Sequence, residues 1–246
     1  MTDRLRIVAL FPALLGTYGD GGNVLILGQR ARWRGIDTEV VTLSPGDPVP
    51  ATGDVYVIGG GEDGAQMAAM AALQATGGGR SPLQQAVEAG AQVLAVCAGL
   101  QLLGESFLDS SGVETAGLGL LDVRTSRLPV RAVGELLADP PPDLGLPALS
   151  GFENHGGHTV LGPDARPLAT VRHGTGNGPD PTGGPAGEGA VAGGIVGTYL
   201  HGPVLARNSA LADLLLARAL GVRPDALAPL DLPEHTALRR RVGADS

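Results

Sequence analysis

The chemistry of this chain turns on its single cysteine. Cys97 lies in Val93-Leu94-Ala95-Val96-Cys97-Ala98-Gly99-Leu100-Gln101, an apolar run that ends at the thiol and continues into small residues. That pattern reads as strand, tight turn and helix, with the cysteine at the turn. Such an elbow strains its central residue and needs small neighbours, which Ala95, Ala98 and Gly99 supply. The amides and positive dipole end of the following helix would face the sulfur and lower its pKa, each unit favouring the thiolate by about 1.4 kcal/mol. On its own, a lone cysteine at a strand end is more often a small core hydrophobe. The elbow context is what favours a nucleophile.

A sulfur nucleophile needs a base and a place for negative charge. The candidate base is His201 in Val196-Gly197-Thr198-Tyr199-Leu200-His201-Gly202-Pro203, at the end of an apolar strand. Active groups of parallel sheets gather at the carboxyl ends of strands, so Cys97 and His201 can meet there. Ile58-Gly59-Gly60-Gly61-Glu62-Asp63 ends another strand with exposed backbone amides. An oxyanion hole for acyl transfer can be built from two amides, Gly61 and Ala98, one such donor being worth about 3 to 4 kcal/mol. Two carboxylates could orient His201: Asp20, which could equally be a plain helix N-cap, or Glu153. His155 and His158 resemble a metal pair, but without further ligands nearby they are read as part of a structural loop, and no metal is expected.

Composition narrows the rest. The chain has 246 residues, one cysteine and a formal net charge of −8. The charge argues against a nucleic-acid partner. A lone thiol rules out an intrachain disulfide and points to a reducing, cytoplasmic setting. The first apolar run, Ile7 to Phe11, is too short for a signal h-region, and none reaches the roughly 20 residues of a membrane helix. All 17 basic residues are arginine. With no lysine, neither a P-loop nor a pyridoxal-phosphate Schiff base can be housed here, so no cofactor is expected in this chain.

The elements that must position these groups alternate. Strands are expected at Leu5 to Phe11, Glu39 to Leu43, Val55 to Ile58 and Gln92 to Val96. Helices are expected at Asn23 to Arg34, Ala65 to Gln74, Ser81 to Ala89 and from Leu100. Strands separated by helices imply a mostly parallel central sheet with helices on both faces, an α/β fold. Leu118 to Val123, Arg131 to Leu137, His158 to Leu161 and Leu168 to Arg172 lie closer together and read as an antiparallel edge on that sheet. The Gly/Pro-rich stretch 173–189 reads as a flexible loop, Ala190 to Leu200 as a last strand and Asn208 to Leu220 as a closing helix. The whole is read as one domain with an ordered core at about 5–220 and a frayed tail at 239–246.

Taken together, Cys97-x-Gly99-x-Gln101, the Gly59-Gly60-Gly61 loop and Tyr199-Leu200-His201-Gly202-Pro203 resemble class I glutamine amidotransferases of the cobyric-acid-synthase-like branch. Leu15 to Asn23, Gly151 to Gly157 and Gly197 to Pro203 resemble the glutaminase subunits of lipid II isoglutaminyl synthases, and the likeness runs over roughly residues 5–220. The resemblance implies a glutaminase that takes L-glutamine and forms a Cys97 thioester. It implies ammonia passing to a Mur-ligase-like subunit, MurT, which carries the ATP and metal and converts D-glutamate of the lipid II stem peptide to D-isoglutamine. By the same resemblance Arg127 and Gln101 bind substrate. Two departures stand out: Ala95 replaces a common Gly before the nucleophile, and no Glu follows His201 in Gly202-Pro203-Val204. Cobyrinic-acid amidation and a non-catalytic scaffolding subunit are the competing readings.

Overall fold

A computed structural model describes residues 4–74, 80–241 and 243–244, with two side chains of the last helix, at 234 and 235, left aside. The central sheet holds β1 (Leu5–Leu10), β2 (Thr38–Leu43), β3 (Val55–Ile58), β4 (Gln92–Val96), β11 (Ala190–Ala192) and β12 (Ile195–Thr198). Its strand order is β11-β12-β4-β3-β1-β2. All neighbours are parallel except β11 and β12, which form an antiparallel edge hairpin. Every residue of β3 and β4 is buried. That requires cover on both faces and explains why these strands read as unbroken apolar runs rather than alternating ones.

The cover comes from α1 (Gly22–Arg32), α2 (Asp63–Gln74), α3 (Pro82–Glu88), α4 (Ala98–Leu103), α5 (Val204–Arg207) and α6 (Ser209–Ala219). Helices α1 and α6 pack together, and α6 reaches β3 and β4; α2 packs on α4, which lies against β4 and β12. The α1–α6 contact is clamped by Asp213, whose carboxylate takes both Arg30 (2.8 and 2.7 Å) and Arg34 (2.9 Å).

The remaining strands form a second sheet: β5 (Ser106–Leu108), β6 (Glu114–Ala116), β7 (Val123–Asp139), β8 (Leu149–Leu161), β9 (Ala169–His173) and β10 (Gly187–Glu188). The pieces expected as an edge of the first sheet therefore build their own, while the antiparallel edge of the central sheet is the short β11. Residues 118–122 are turn-like, and β7 and β8 are long, paired along most of their length. The glycines of Gly151-Phe152-Glu153-Asn154-His155-Gly156-Gly157 hid β8 from a propensity reading. At Gly157 the reason for glycine is steric: a Cβ there would lie 2.5 Å from Tyr199 Oη and 2.7 Å from Gln101 Nε2.

Three other expectations change in detail. Ala190 to Leu200 is not one strand but the β11–β12 hairpin, turned at Gly193-Gly194. The segment 173–189 is tethered where Thr175 and Gly176 amides donate to Glu153 (2.8 and 2.9 Å) and where Asn177 brackets Gly189 (2.8 and 2.9 Å). Arg239, placed in a frayed tail from sequence, is buried in α7 (Pro233–Arg241) and donates to Ala148 O at 2.9 Å. No helix among the described residues is long and apolar enough to cross a membrane.

Candidate active site

Cys97 occupies the turn between β4 and α4 with φ 51° and ψ −104°, in a region where side-chain-bearing residues rarely sit. Strain of this kind is worth about 1–3 kcal/mol and persists only when the surroundings enforce it. Here the amide of Cys97 is held by Thr198 O at 2.8 Å, and Gln101 N closes the first turn of α4 on Cys97 O at 3.2 Å. The elbow is thus locked to β12, the strand that leads to His201.

His201 is fully buried. Its backbone pairs with Phe152 on β8, with His201 N donating to Phe152 O at 2.8 Å. Its Nδ1 lies 3.0 Å from Asp20 Oδ2 and 3.3 Å from Oδ1. The Asp20 carboxylate also accepts the Gly60 amide at 2.9 Å. A carboxylate can only accept, so Nδ1 donates to it, and Nε2 is the ring nitrogen left free of Asp20. That Nε2 has no hydrogen-bond partner. A Cβ on Gly60 would fall 2.6 Å from His201 Cε1 and 3.2 Å from Cys97 Cβ. The imidazole and the nucleophile's carbon are therefore neighbours across one bare loop residue, where only glycine fits.

Of the two candidate orienters, the structure brings Asp20 to the histidine and not Glu153. Helix α1 starts at Gly22 with Gly21 as its N-cap, and the Asp20 carboxylate is turned to Gly60 and His201 instead. The Glu153 carboxylate is turned instead to the 175–176 amides and stands 3.5 Å from His155 Nε2, contacts that hold it below the usual carboxylate range against its burial. His155 stacks on Tyr199 with ring centroids 3.7 Å apart, while the ring of His158 meets Pro179 O at 2.9 Å. Separated by three residues on β8, the two imidazoles face opposite ways.

Cys97 opens onto a cleft of about 50 Å³ lined also by Tyr18, Gly61, Ala98, Gln101 and Arg131. This joins an outer cleft of about 300 Å³, lined by Gln66, Gln101, Thr125, Arg127 and Arg131. Gln101 is fixed in the wall by Gln66 (2.9 Å) and Tyr199 (3.3 Å). Arg127 lines the outer cleft, its Nη2 donating to Asp109 O at 2.5 Å. Arg131, which sequence reasoning passed over, lines both clefts and is tied to Asn154 Oδ1 at 2.7 Å. It stands at the slip in pairing between Arg127 and Ala132, an irregularity within β7. Asn154 also donates to Tyr18 Oη at 3.0 Å, and the Tyr18 ring meets His201 edge-on at 4.6 Å. Both sit in stretches quoted above, but only pairing of β8 with β7 shows what they touch.

The electrostatics overturn one expectation. Burial, and next the Asp20 carboxylate, push the Cys97 thiol up to about 12, outweighing the Ala98 amide that favours the thiolate. Helix α4 has only six residues, and its dipole end does not offset the loss of water. The resting site is a neutral thiol beside an imidazole whose Nε2 has no hydrogen-bond partner.

Residues 6–209 match the model of the CobB/CobQ-like glutamine amidotransferase domain. The chain belongs to this family. The amidotransferase is 35% identical to the "Lipid II isoglutaminyl synthase (glutamine-hydrolyzing) subunit GatD" of Staphylococcus aureus (strain N315), over 83% of this chain and 80% of the relative. It is 34% identical to the cobyric acid synthase of Sphingopyxis alaskensis, covering 73% of this chain but 34% of that protein. A crystal structure of a glutamine amidotransferase superposes with a TM-score of 0.55 at 17% identity, covering 88% of this chain and 99% of that one, a likeness of fold. By family, the chain is a glutamine amidotransferase.

Proposed function

We propose that this amidotransferase hydrolyses L-glutamine through a Cys97 thioester and passes the ammonia to a Mur-ligase-like subunit of the MurT type, which amidates D-glutamate of the lipid II stem peptide. The observation that carries the chemistry is the Asp20–His201 pair, with Nε2 unpartnered beside the elbow that bears Cys97. As Sγ attacks the carboxamide carbon, Nε2 takes the thiol proton, and the Gly61 and Ala98 amides at the cleft floor receive the oxyanion. The proton then passes from His201 to the leaving nitrogen, ammonia departs, and a water deprotonated by the same imidazole clears the thioester as glutamate. A thiol held up at about 12 makes transfer to His201 part of the attack rather than a preceding step.

For the amino-acid end of the substrate, the inner guanidinium, Arg131, is better placed than Arg127 to clamp an α-carboxylate while the amide reaches Cys97. Arg131→Ala is expected to raise KM for glutamine by about 10–100-fold, Arg127→Ala by less than about tenfold, as read by steady-state ammonia release. Equal effects, or the reverse order, would return the role to Arg127.

The acceptor rests on the likeness to the GatD subunit over most of both chains. ATP and its metal belong on the partner, because the chain has no lysine for a phosphate loop. The cytoplasm supplies both ATP and a reduced thiol. In the cobyric acid synthase the matching region is about a third of the protein, so that activity would require further domains. A scaffolding subunit needs no unpartnered imidazole beside a strained cysteine. Purification of the native complex decides: a Mur-ligase-like protein should co-purify, and the pair with ATP should move glutamine nitrogen onto lipid II. Co-purification with a corrinoid enzyme, or no transfer to lipid II, would overturn the assignment of acceptor.

A further inference from the structure

Glu188 is fully buried and takes no part in the chemistry above. It sits at the joint between the sheets, the last residue of β10 in one and next to Gly189, which turns with φ 61° into β11 of the other. Its Oε1 accepts the Thr198 hydroxyl and, at 2.9 Å, the Tyr199 amide. The Thr198 hydroxyl oxygen in turn accepts the Leu200 amide at 3.0 Å. One carboxyl oxygen thus organises the residues that run from the end of β12 to His201. Tyr199, held this way, places its hydroxyl 2.6 Å from Thr159 on β8 and 3.3 Å from Gln101 in the cleft wall. The other oxygen, Oε2, is buried without a hydrogen-bond partner.

We propose that Glu188 is a positioning residue for glutamine hydrolysis, its carboxyl group fixing the Thr198–Leu200 segment so that His201 Nε2 is aimed at Cys97. The inference rests on the reading of Cys97 and His201 as nucleophile and base. Among the described residues, the titratable groups that bear on Glu188 and its segment include Cys97 at the end of β4, Glu153 on β8, Tyr199 itself and, stacked on Tyr199, His155. Burial, supported by the nearby Glu153 carboxylate and opposed by the Thr198 and Tyr199 bonds, raises the Glu188 carboxyl to about 7. It therefore changes charge in the neutral range, bonded to the segment that leads to His201. The neutral acid keeps an acceptor oxygen for both bonds, and glutamine at 188 is its permanent mimic.

The test compares E188Q and E188A with wild type in the complex with the ligase subunit, following kcat and KM for glutamine from pH 5.5 to 8.5, a range spanning about 7 on both sides. E188A should lower kcat at least about tenfold while KM changes less than about threefold, since aim and not binding is lost. E188Q should retain kcat within about fivefold at the acid end and lack the inflection near 7 that wild type shows. Imidazole nitrogen signals of His201, assigned with a His201→Gln variant, give a readout independent of turnover: they should shift through about 7 in wild type and not in E188Q. Unchanged kcat in E188A, or an inflection and an imidazole shift that persist in E188Q, would overturn the proposal. Should E188A not fold, E188Q alone decides. If wild type released no ammonia, the reading of the site would fail, and the His201 signals would still report on Glu188.

Discussion

Replacing Cys97 by alanine is expected to abolish ammonia release, by at least about 10⁴-fold in kcat, while leaving the fold intact. The sulfur has no substitute: it is the chain's single thiol, and among the described residues His201 Nε2 has no other hydrogen-bond partner to activate. The same substitution measures the elbow. Alanine keeps a Cβ at φ 51°, so the strain remains, whereas Cys97→Gly removes it. The glycine variant should be the more stable of the two by about 1 kcal/mol, read as the difference in chemical denaturation midpoints. Stability gained on removing the nucleophile would show that the fold holds strain at this position for chemistry. Equal midpoints would show that the backbone there is relaxed.

The second large effect belongs to Asp20. Asp20→Asn should lower kcat by about 10² to 10⁴-fold, with KM for glutamine nearly unchanged. At present one carboxylate accepts both the Gly60 amide at 2.9 Å and His201 Nδ1–H at 3.0 Å. An asparagine that keeps its oxygen on Gly60 turns an NH₂ toward Nδ1. The imidazole then shifts its proton to Nε2, and the nitrogen facing Cys97 can no longer accept one. The partner charge for the imidazolium formed during attack disappears at the same time. The ring orientation should survive, because the backbone of His201 is held by Phe152 and its ring by Tyr18. Steady-state kinetics on the complex check this; a kcat within about threefold of wild type would remove Asp20 from the mechanism.

How much of this was legible in the sequence follows from the kind of interaction involved. The parallel core was readable because β1, β3 and β4 are buried on both faces and appear as short apolar runs between helical ones. The Cys97 elbow and the strand leading to His201 were readable for the same reason, since both are local patterns at strand ends. What was not readable depends on pairing across long separations. Strand β8 forms because β7 offers it a partner, and its Gly157 leaves room for Tyr199 and Gln101, which propensity scores as a defect. The choice between Asp20 and Glu153 was open in the sequence, because either could lie near His201; the β1–α1 loop carries Asp20 under Gly60, while Glu153 turns away toward 175–176. Arg131 lines the inner cleft from a slip in strand pairing that leaves no local signal. The thiol's protonation went the other way from the helix-dipole argument, because that argument counts the amides of α4 and not the water lost around a buried cysteine that is 7% exposed.

The central claim is that glutamine becomes covalently attached to Cys97 with His201 as the base. The most direct measurement is mass spectrometry of the acid-quenched complex after mixing with glutamine, with peptide mapping of the adduct. The mechanism predicts a glutamyl thioester on Cys97 that is absent in Cys97→Ala and in which the Asp20→Asn variant, slow at both transfers, forms and clears more slowly than wild type. Ammonia released at the normal rate with no adduct at residue 97, or with the adduct elsewhere, would contradict it.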